Sequence, residues 1–443
     1  MFPLRQLVSS VKADPVKALQ AFNLMRFAAT LLIGIFLAKS GLPTADISLY
    51  ETWLFLGNLL TFFWMGGGQN ALVSLFPKIE NPDQQRVLLF QAFLLFNFLA
   101  ILAACLLALG GGWIGPRFAH ADQVPYLGWL MIFLIGNAPS LLVHLFYLLQ
   151  NKAGKILGYG MVSFGLQVVA VVTPLLAGAG LKGIFISLGA WAVLKWCWLL
   201  ALTIRYGKWS WDGRQVIQFA WLMLPLTLHI LVGNSVEYSD GLIVASYFDD
   251  ERQFALFRFG ARELPLTTLL VGGIVTGLIP VLARDFEAGL AELRKRTTRL
   301  AHLLFPLSGA LMFLSYPVFP LVYNPDFTVS AKVFNIYLLI LASRILLPQV
   351  LVISRQRNFV LVGSALVETT INVALSLWWV RFWGLQGVAM ASVVAFLVNK
   401  FLLIIFNYRA FGIPAGRYVP VRLWLGYSAG LVMCYILAKW IYG

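Results

Sequence analysis

Ten Lys, Arg, Asp and Glu side chains read as embedded in the long apolar stretches of this 443-residue chain: Arg26, Lys195, Arg258, Arg262, Arg344 and Lys400 are basic, and Glu237, Asp240, Glu263 and Glu368 are acidic. A charge facing hydrocarbon at mid-depth costs about 2.5–3.5 kcal/mol on insertion scales, so most of them must face protein. Helix-to-helix braces, or side chains that snorkel from span ends, are their simplest use. Arginine suggests a sharper one. Arg258 and Arg262 are four apart and are expected to share one helix face, and Arg26 sits on the first apolar stretch. Converging guanidinium groups bond phosphate bidentately and stay charged in low dielectric. An amphiphile with a pyrophosphate head is therefore the expected ligand, with Lys195, Arg344 and Lys400 as further candidate binding cations. The acids are candidates for H⁺ or Na⁺ coupling, with Asp240 first and Glu237, Glu368 and Glu263 after it.

Other reactive residue types form no constellation. His144, His229 and His302 fall on separate stretches without ligand spacing, so neither a metal site nor a catalytic set is expected. Gly66-Gly67-Gly68 lacks the Lys-Ser/Thr tail of a phosphate loop and reads as close helix packing or a hinge. Cys105, Cys197 and Cys434 each lie in an apolar run and read as buried small hydrophobes, with no disulfide framework.

The elements that must position these residues follow from composition. The chain is 60% apolar and 12% charged with a net charge of +15, where ordinary globular chains carry about 25% charge. Soluble enzymes and disulfide scaffolds are excluded. Apolar runs of roughly 20 residues, the length that crosses a bilayer core as a helix, recur at 20–42, 47–75, 87–110, 125–150, 156–178, 183–204, 216–245, 252–282, 299–322, 332–353, 358–380, 386–408 and 423–441. The runs are too continuous for barrel strands, so the predicted fold is all-α and polytopic, with thirteen spans. Residues 1–19 read as an amphipathic leader on the inner leaflet, with no cleavable signal. Lys and Arg in alternate loops divide twenty to seven, which places the N-terminus in the cytoplasm and accounts for the basic excess without nucleic acid.

The two halves repeat. Lys152 and Lys155, a span, Gly180-Leu181-Lys182-Gly183-Ile184 and a span with Lys195 are echoed by Arg355 and Arg357, a span, Gly384-Leu385-Gln386-Gly387-Val388 and a span with Asn399 and Lys400. Six spans per half make the repeat parallel, with a pseudo-twofold axis along the membrane normal and a central cavity between bundles. The expected organisation is a leader at 1–19, a six-helix bundle at 20–204, a linker at 205–215, a second bundle at 216–408, and a loop with an extra helix at 409–443.

Asn23 to Arg26, the run Asp240-Gly241-Leu242-Ile243-Val244-Ala245-Ser246-Tyr247-Phe248, its spacing to Pro280, and the Gly-Leu-x-Gly-Ile/Val turns carry a resemblance over residues 20–408. The chain resembles the multidrug/oligosaccharidyl-lipid/polysaccharide transporter superfamily, in its polysaccharide-transporter branch of O-antigen and capsule flippases. That resemblance implies translocation of undecaprenyl-pyrophosphate-linked oligosaccharide across the bacterial inner membrane by alternating access. It also implies cavity arginines at Arg26, Arg258 and Arg262, and contacts with membrane lipids and other glycan-assembly proteins. A drug/cation antiporter of the same fold is the alternative, disfavoured because no buried acid is expected in the first six spans. A membrane glycan polymerase or ligase is disfavoured because the longest outer loop, 111–124, is short.

Overall fold

The computed structural model describes residues 15–355 and 357–442, and among them the regular structure is entirely helical. An uncharged chain in hydrocarbon can satisfy its peptide groups only within a helix or a closed barrel, and these apolar runs take the first course. In chain order the helices are α1 (Pro15–Lys39), α2 (Thr44–Leu59), α3 (Phe62–Leu75), α4 (Pro82–Ile114), α5 (Leu127–Ser140), α6 (Leu142–Leu149), α7 (Ala153–Leu176), α8 (Gly180–Tyr206) and α9 (Gly213–Gly233). They continue as α10 (Ser235–Tyr247), α11 (Arg252–Gly260), α12 (Pro265–Arg284), α13 (Phe286–Val322), α14 (Thr328–Leu339), α15 (Leu341–Arg344), α16 (Gln349–Ser354), α17 (Asn358–Phe411) and α18 (Val421–Tyr442). Residues 1–14 of the expected leader lie outside the described residues, and from Pro15 the chain is already helical.

Among the described residues ten stretches are individually long and apolar enough to cross a membrane. One of them, Phe359–Phe411, is two spans folded at Gly384, whose backbone leaves the helical region with φ 56°. The windows 47–75 and 252–282 are also helical but interrupted, at Leu60–Thr61 and at 261–264. The thirteen windows read from hydropathy are thus mainly helical, with a further break at 345–348 inside the window 332–353. The interruptions have local causes. Thr61 returns its hydroxyl to the Gly57 carbonyl at 2.8 Å, taking up an acceptor that the broken helix releases. Pro265 opens α12, and a residue before proline avoids the helical region.

The chain divides into two compact units, 1–231 and 232–443. The first keeps α9, beyond the linker expected at 205–215, because the start of α9 is tied to α4. Gln91 Nε2 donates to the Asp212 carbonyl at 2.9 Å, and Gln215 Nε2 donates to the Gln84 carbonyl at 3.0 Å. Its core gathers Phe22, Trp64, Phe96, Phe146 and Phe219. The glycine triplet is a packing surface: a Cβ on Gly67 would stand 2.6 Å from the Thr227 amide nitrogen and 2.7 Å from its Cα, so α3 and α9 touch backbone to backbone.

In the second unit, Leu278, Leu293, Leu347, Val350 and Tyr418 form one core cluster. The extra helix α18 belongs to this unit. His302 Nδ1 lies 2.7 Å from the Tyr427 hydroxyl, Phe305 stacks on Tyr427, and Trp424 Nε1 donates to the Ala342 carbonyl at 2.8 Å. Cys105 and Cys197 are exposed on the helix surfaces. They are not buried as expected, because in a membrane an apolar run needs only one face against protein.

The repeated turns share two backbone features. Gly180 and Gly384 both take left-handed backbone, at φ 60° and φ 56°. Three residues on, Gly183 and Gly387 both press against the end of the preceding helix, where an added Cβ would fall 3.0 Å from Pro174 Cβ and 2.6 Å from the Trp379 carbonyl carbon.

Candidate functional site

Asp240 is the most completely enclosed of the ten charges, at 1% exposure on α10. Among the described residues its carboxylate faces no cation. Asn372 Nδ2 donates to Oδ1 at 3.0 Å, Tyr337 Oη donates to Oδ2 at 3.1 Å, and Ser392 Oγ donates to Oδ2 as well. Asn372 also donates to Ser392 Oγ at 3.0 Å. α10, α14 and both arms of α17 therefore meet at one carboxylate through neutral donors. Asn372 Oδ1 and Ser376 Oγ are buried without partners among the described residues, and being four apart on α17 they share a face. Carboxylate, amide and hydroxyl oxygens are what a hard monovalent cation takes as ligands. Among the described residues no group of three or more His, Cys, Asp or Glu side chains is placed to hold a metal ion.

A second cluster surrounds Arg344. Its Nε donates to Glu263 Oε2 at 3.0 Å and its Nη2 to Oε1, a bidentate pair, while the guanidinium lies 4.3 Å from the Phe396 ring centre. Lys400 Nζ donates to Gln349 Oε1 at 3.2 Å. Glu368 is half-buried on α17 and takes part in no hydrogen bond or ion pair among the described residues, although Lys400, Arg344 and Glu263 all act on its charge. Tyr337 lies between the clusters, since it bonds Asp240 and lines a small pocket together with Glu263, Thr267, Ser308 and Arg344.

The arginine pair is placed differently from its sequence spacing. α11 ends at Gly260 and Arg262 falls in the non-helical segment 261–264, so the two side chains do not share a helix face. Arg262 turns back instead, donating from Nε to the Arg258 carbonyl at 3.3 Å with its guanidinium 5.1 Å from the Phe259 ring centre. A helix end leaves carbonyls without intrahelical donors, and here a side chain supplies one. Arg258 reaches Glu237 at 3.8 Å, which makes that exposed acid its counter-charge.

In the first unit, Lys195 is buried on α8 and donates to Asn137 Oδ1 on α5, 5.9 Å from the Trp191 ring centre. Its partner is neutral. Arg26 is exposed on α1 and forms no side-chain hydrogen bond or ion pair among the described residues. The expectation of no buried acid in the first six spans is overturned by Glu51, which is 7% exposed on α2. It stands within the 47–75 window, and a scan of that window for Asp and Glu would have found it. Asn372, Ser392 and Tyr337 were also missed, because they are neutral and a search for embedded charges passes over them. His144 stacks on Phe22 at 4.6 Å, a packing role.

Three comparisons bear on this arrangement. Residues 52–332 match a family model described as polysaccharide biosynthesis protein. Over 156 residues the chain is 32% identical to the probable lipid II flippase MurJ of Bdellovibrio bacteriovorus, covering 32% of this chain and 29% of that protein. The chain thus aligns with less than a third of that relative's length. Among solved structures it is similar to a lipid II flippase MurJ in an inward closed conformation, with TM-score 0.68 and 16% identity over 95% of this chain and 97% of the other. It is also similar to an inward-facing multidrug resistance MATE family transporter of the MOP superfamily, with TM-score 0.67 and 13% identity over 87% and 94% of the two chains. At these identities the structural likeness is one of fold.

Proposed function

The chain belongs to the polysaccharide biosynthesis protein family, the polysaccharide-transporter branch of the multidrug/oligosaccharidyl-lipid/polysaccharide superfamily of membrane transporters, and on that premise we propose that it is a flippase for lipid-linked oligosaccharide. Its substrate is an undecaprenyl-pyrophosphate-linked repeat unit for O-antigen, capsule or exopolysaccharide, moved from inner to outer leaflet by alternating access, with the N-terminus in the cytoplasm. The observation that carries this reading is the family match over residues 52–332. The name of the MurJ relative supports a lipid-linked substrate. The embedded charge is compatible with an anionic head: Arg26 has no acid partner among the described residues, and Lys195 is held by an amide.

Arg26, Arg258, Arg262 and Lys195 are the residues assigned to the pyrophosphate and glycan. Arg344 is saturated by Glu263 and is assigned the role of a brace. Asp240 is the coupling residue, binding H⁺ or Na⁺ with oxygens from Asn372, Ser376 and Ser392. Glu51 removes the charge argument against a drug/cation antiporter, so substrate assay decides between the two.

The test is a deletion strain complemented in trans. Loss of the protein is expected to cause lipid-linked repeat units to accumulate on the inner leaflet, and Arg258→Ala or Arg262→Ala is expected not to restore export although each variant inserts and accumulates. A deletion strain with normal lipid-linked intermediates and raised sensitivity to organic cations would favour the antiporter. For coupling, Asp240→Asn is expected to keep normal abundance and lose its response to an imposed ion gradient. Unchanged gradient dependence in vesicles would remove Asp240 and turn attention to Glu368.

A further inference from the structure

Away from the embedded charges, the second unit carries a groove of about 550 Å³ between the first turns of α13 and the short turn Ala415–Arg417 that precedes α18. Glu287, Leu290, Ala291, Arg294, Lys295, Thr298, Gly416 and Arg417 line it, so three cations face one acid. Glu287 is already committed, accepting from Arg417 Nη2. Arg294 and Lys295 are exposed and have no carboxylate partner among the described residues, while the neighbouring Glu292 is taken by Arg296 at 2.8 Å. A concave surface with two unpaired cations, and a third whose partner is a solvent-exposed carboxylate, is arranged for an anion.

We propose that this groove binds the phosphate of an anionic phospholipid headgroup, with Arg294, Lys295 and Arg417 as its ligands and Glu287 as the group displaced from Arg417. Position argues for a lipid over a free anion. Four residues after Arg417 the chain enters the spanning helix α18 at Val421, so the groove opens at the membrane edge. From there Val421, Leu425, Val432 and Ile436 are exposed along one face of α18, an apolar track on which acyl chains can lie beneath a headgroup held in the groove. The exchange of one partner for another also sets a local device. While Glu287 holds Arg417, the turn 415–417 is latched to α13, and a bound phosphate takes over that link. The orientation proposed above enters only in naming which leaflet supplies the lipid.

The experiment titrates the purified full chain in neutral detergent with short-chain phosphatidylglycerol, against phosphatidylcholine and inorganic phosphate. Arg294→Gln/Lys295→Gln is expected to weaken phosphatidylglycerol binding about tenfold more than Arg284→Gln/Arg299→Gln, which removes the same charge outside the groove. Glu287→Gln should tighten it by about threefold, since Arg417 no longer has to be released. Phosphatidylcholine should not bind saturably, and phosphate should compete only weakly. Equal losses in the two double variants would reduce the effect to general electrostatics and overturn the site. Unchanged affinity in Glu287→Gln would overturn the displacement, and phosphate binding as tightly as the lipid would overturn the choice of ligand. Normal lipid-linked intermediates in the deletion strain, which would remove the flippase reading, would leave each of these readings intact, because none of them depends on what the protein transports.

Discussion

Two embedded cations differ in what holds them, and their mutants should differ accordingly. Arg344 is locked in a bidentate pair with Glu263, so Glu263→Gln removes the counter-charge from a largely buried guanidinium. Breaking a fully buried pair from one side costs 3–5 kcal/mol, and partial exposure lowers this to about 2–4 kcal/mol. A lower thermal midpoint of the purified protein is the expected readout, and Glu263→Gln/Arg344→Gln should recover most of the loss. Lys195 stands against an amide alone, and a buried charge without a counter-ion is held at a cost to stability. Lys195→Met is therefore expected to keep or raise the midpoint, by up to about 1 kcal/mol, while lowering export. A fall in both would make Lys195 a structural group. The sequence located each of these charges but could not say which were engaged, since Glu263 and Arg344 lie 81 residues apart and the donors around Asp240 are 97, 132 and 152 residues away.

Helices were legible wherever an apolar run is all that a bilayer requires, and every window read from hydropathy is mainly helical. What escaped were the interruptions inside them. The break at 261–264 carries one local sign in Pro265, whereas Leu60–Thr61 has neither glycine nor proline beside it, and the Thr61 hydroxyl that takes up the Gly57 carbonyl is a weaker signal. Arg258 and Arg262 were misread for the same reason, as a spacing of four means a shared face only along an unbroken helix. The α3–α9 contact gives a test at this scale. Gly67→Ala meets the backbone of Thr227, so shortening that side chain cannot relieve it, whereas Gly66→Ala meets Ile230 Cδ1 at 2.6 Å and should be rescued by Ile230→Ala. Overpacking of this kind costs about 1–3 kcal/mol, to be read as loss of folded protein in membranes for Gly67→Ala with or without Thr227→Ala. The glycine turns were legible as a repeat, and Gly384→Ala should cost about 1–3 kcal/mol, because φ 56° with ψ −134° is backbone that side chains other than glycine rarely adopt.

Across the whole molecule, the division of basic residues predicts that a reporter enzyme inserted after Lys208 is cytoplasmic and one inserted after Asp122 is external. The reverse at either site would require the spans to be redrawn. Helix α13 adds a dimension that hydropathy alone did not give. Its 37 residues extend about 55 Å at 1.5 Å each, well beyond a hydrocarbon core of about 30 Å, so the turns bearing Arg294 and Lys295 leave the hydrocarbon and reach the level of the headgroups. The interruption at 261–264 sets up the opposite situation, with peptide groups outside any helix in the middle of a spanning segment. Amide hydrogens on an unbroken spanning helix such as α8 are sealed twice, by their own bonds and by the surrounding hydrocarbon. Within the gap Ala261 and Arg262 still donate to the Phe257 and Gly260 carbonyls, whereas Glu263 and Leu264 show no backbone donation among the described residues, so in deuterated buffer a peptide covering 261–264 should gain mass before one from α8. The span that carries both arginines is thus also where isotopic exchange should first register solvent at depth.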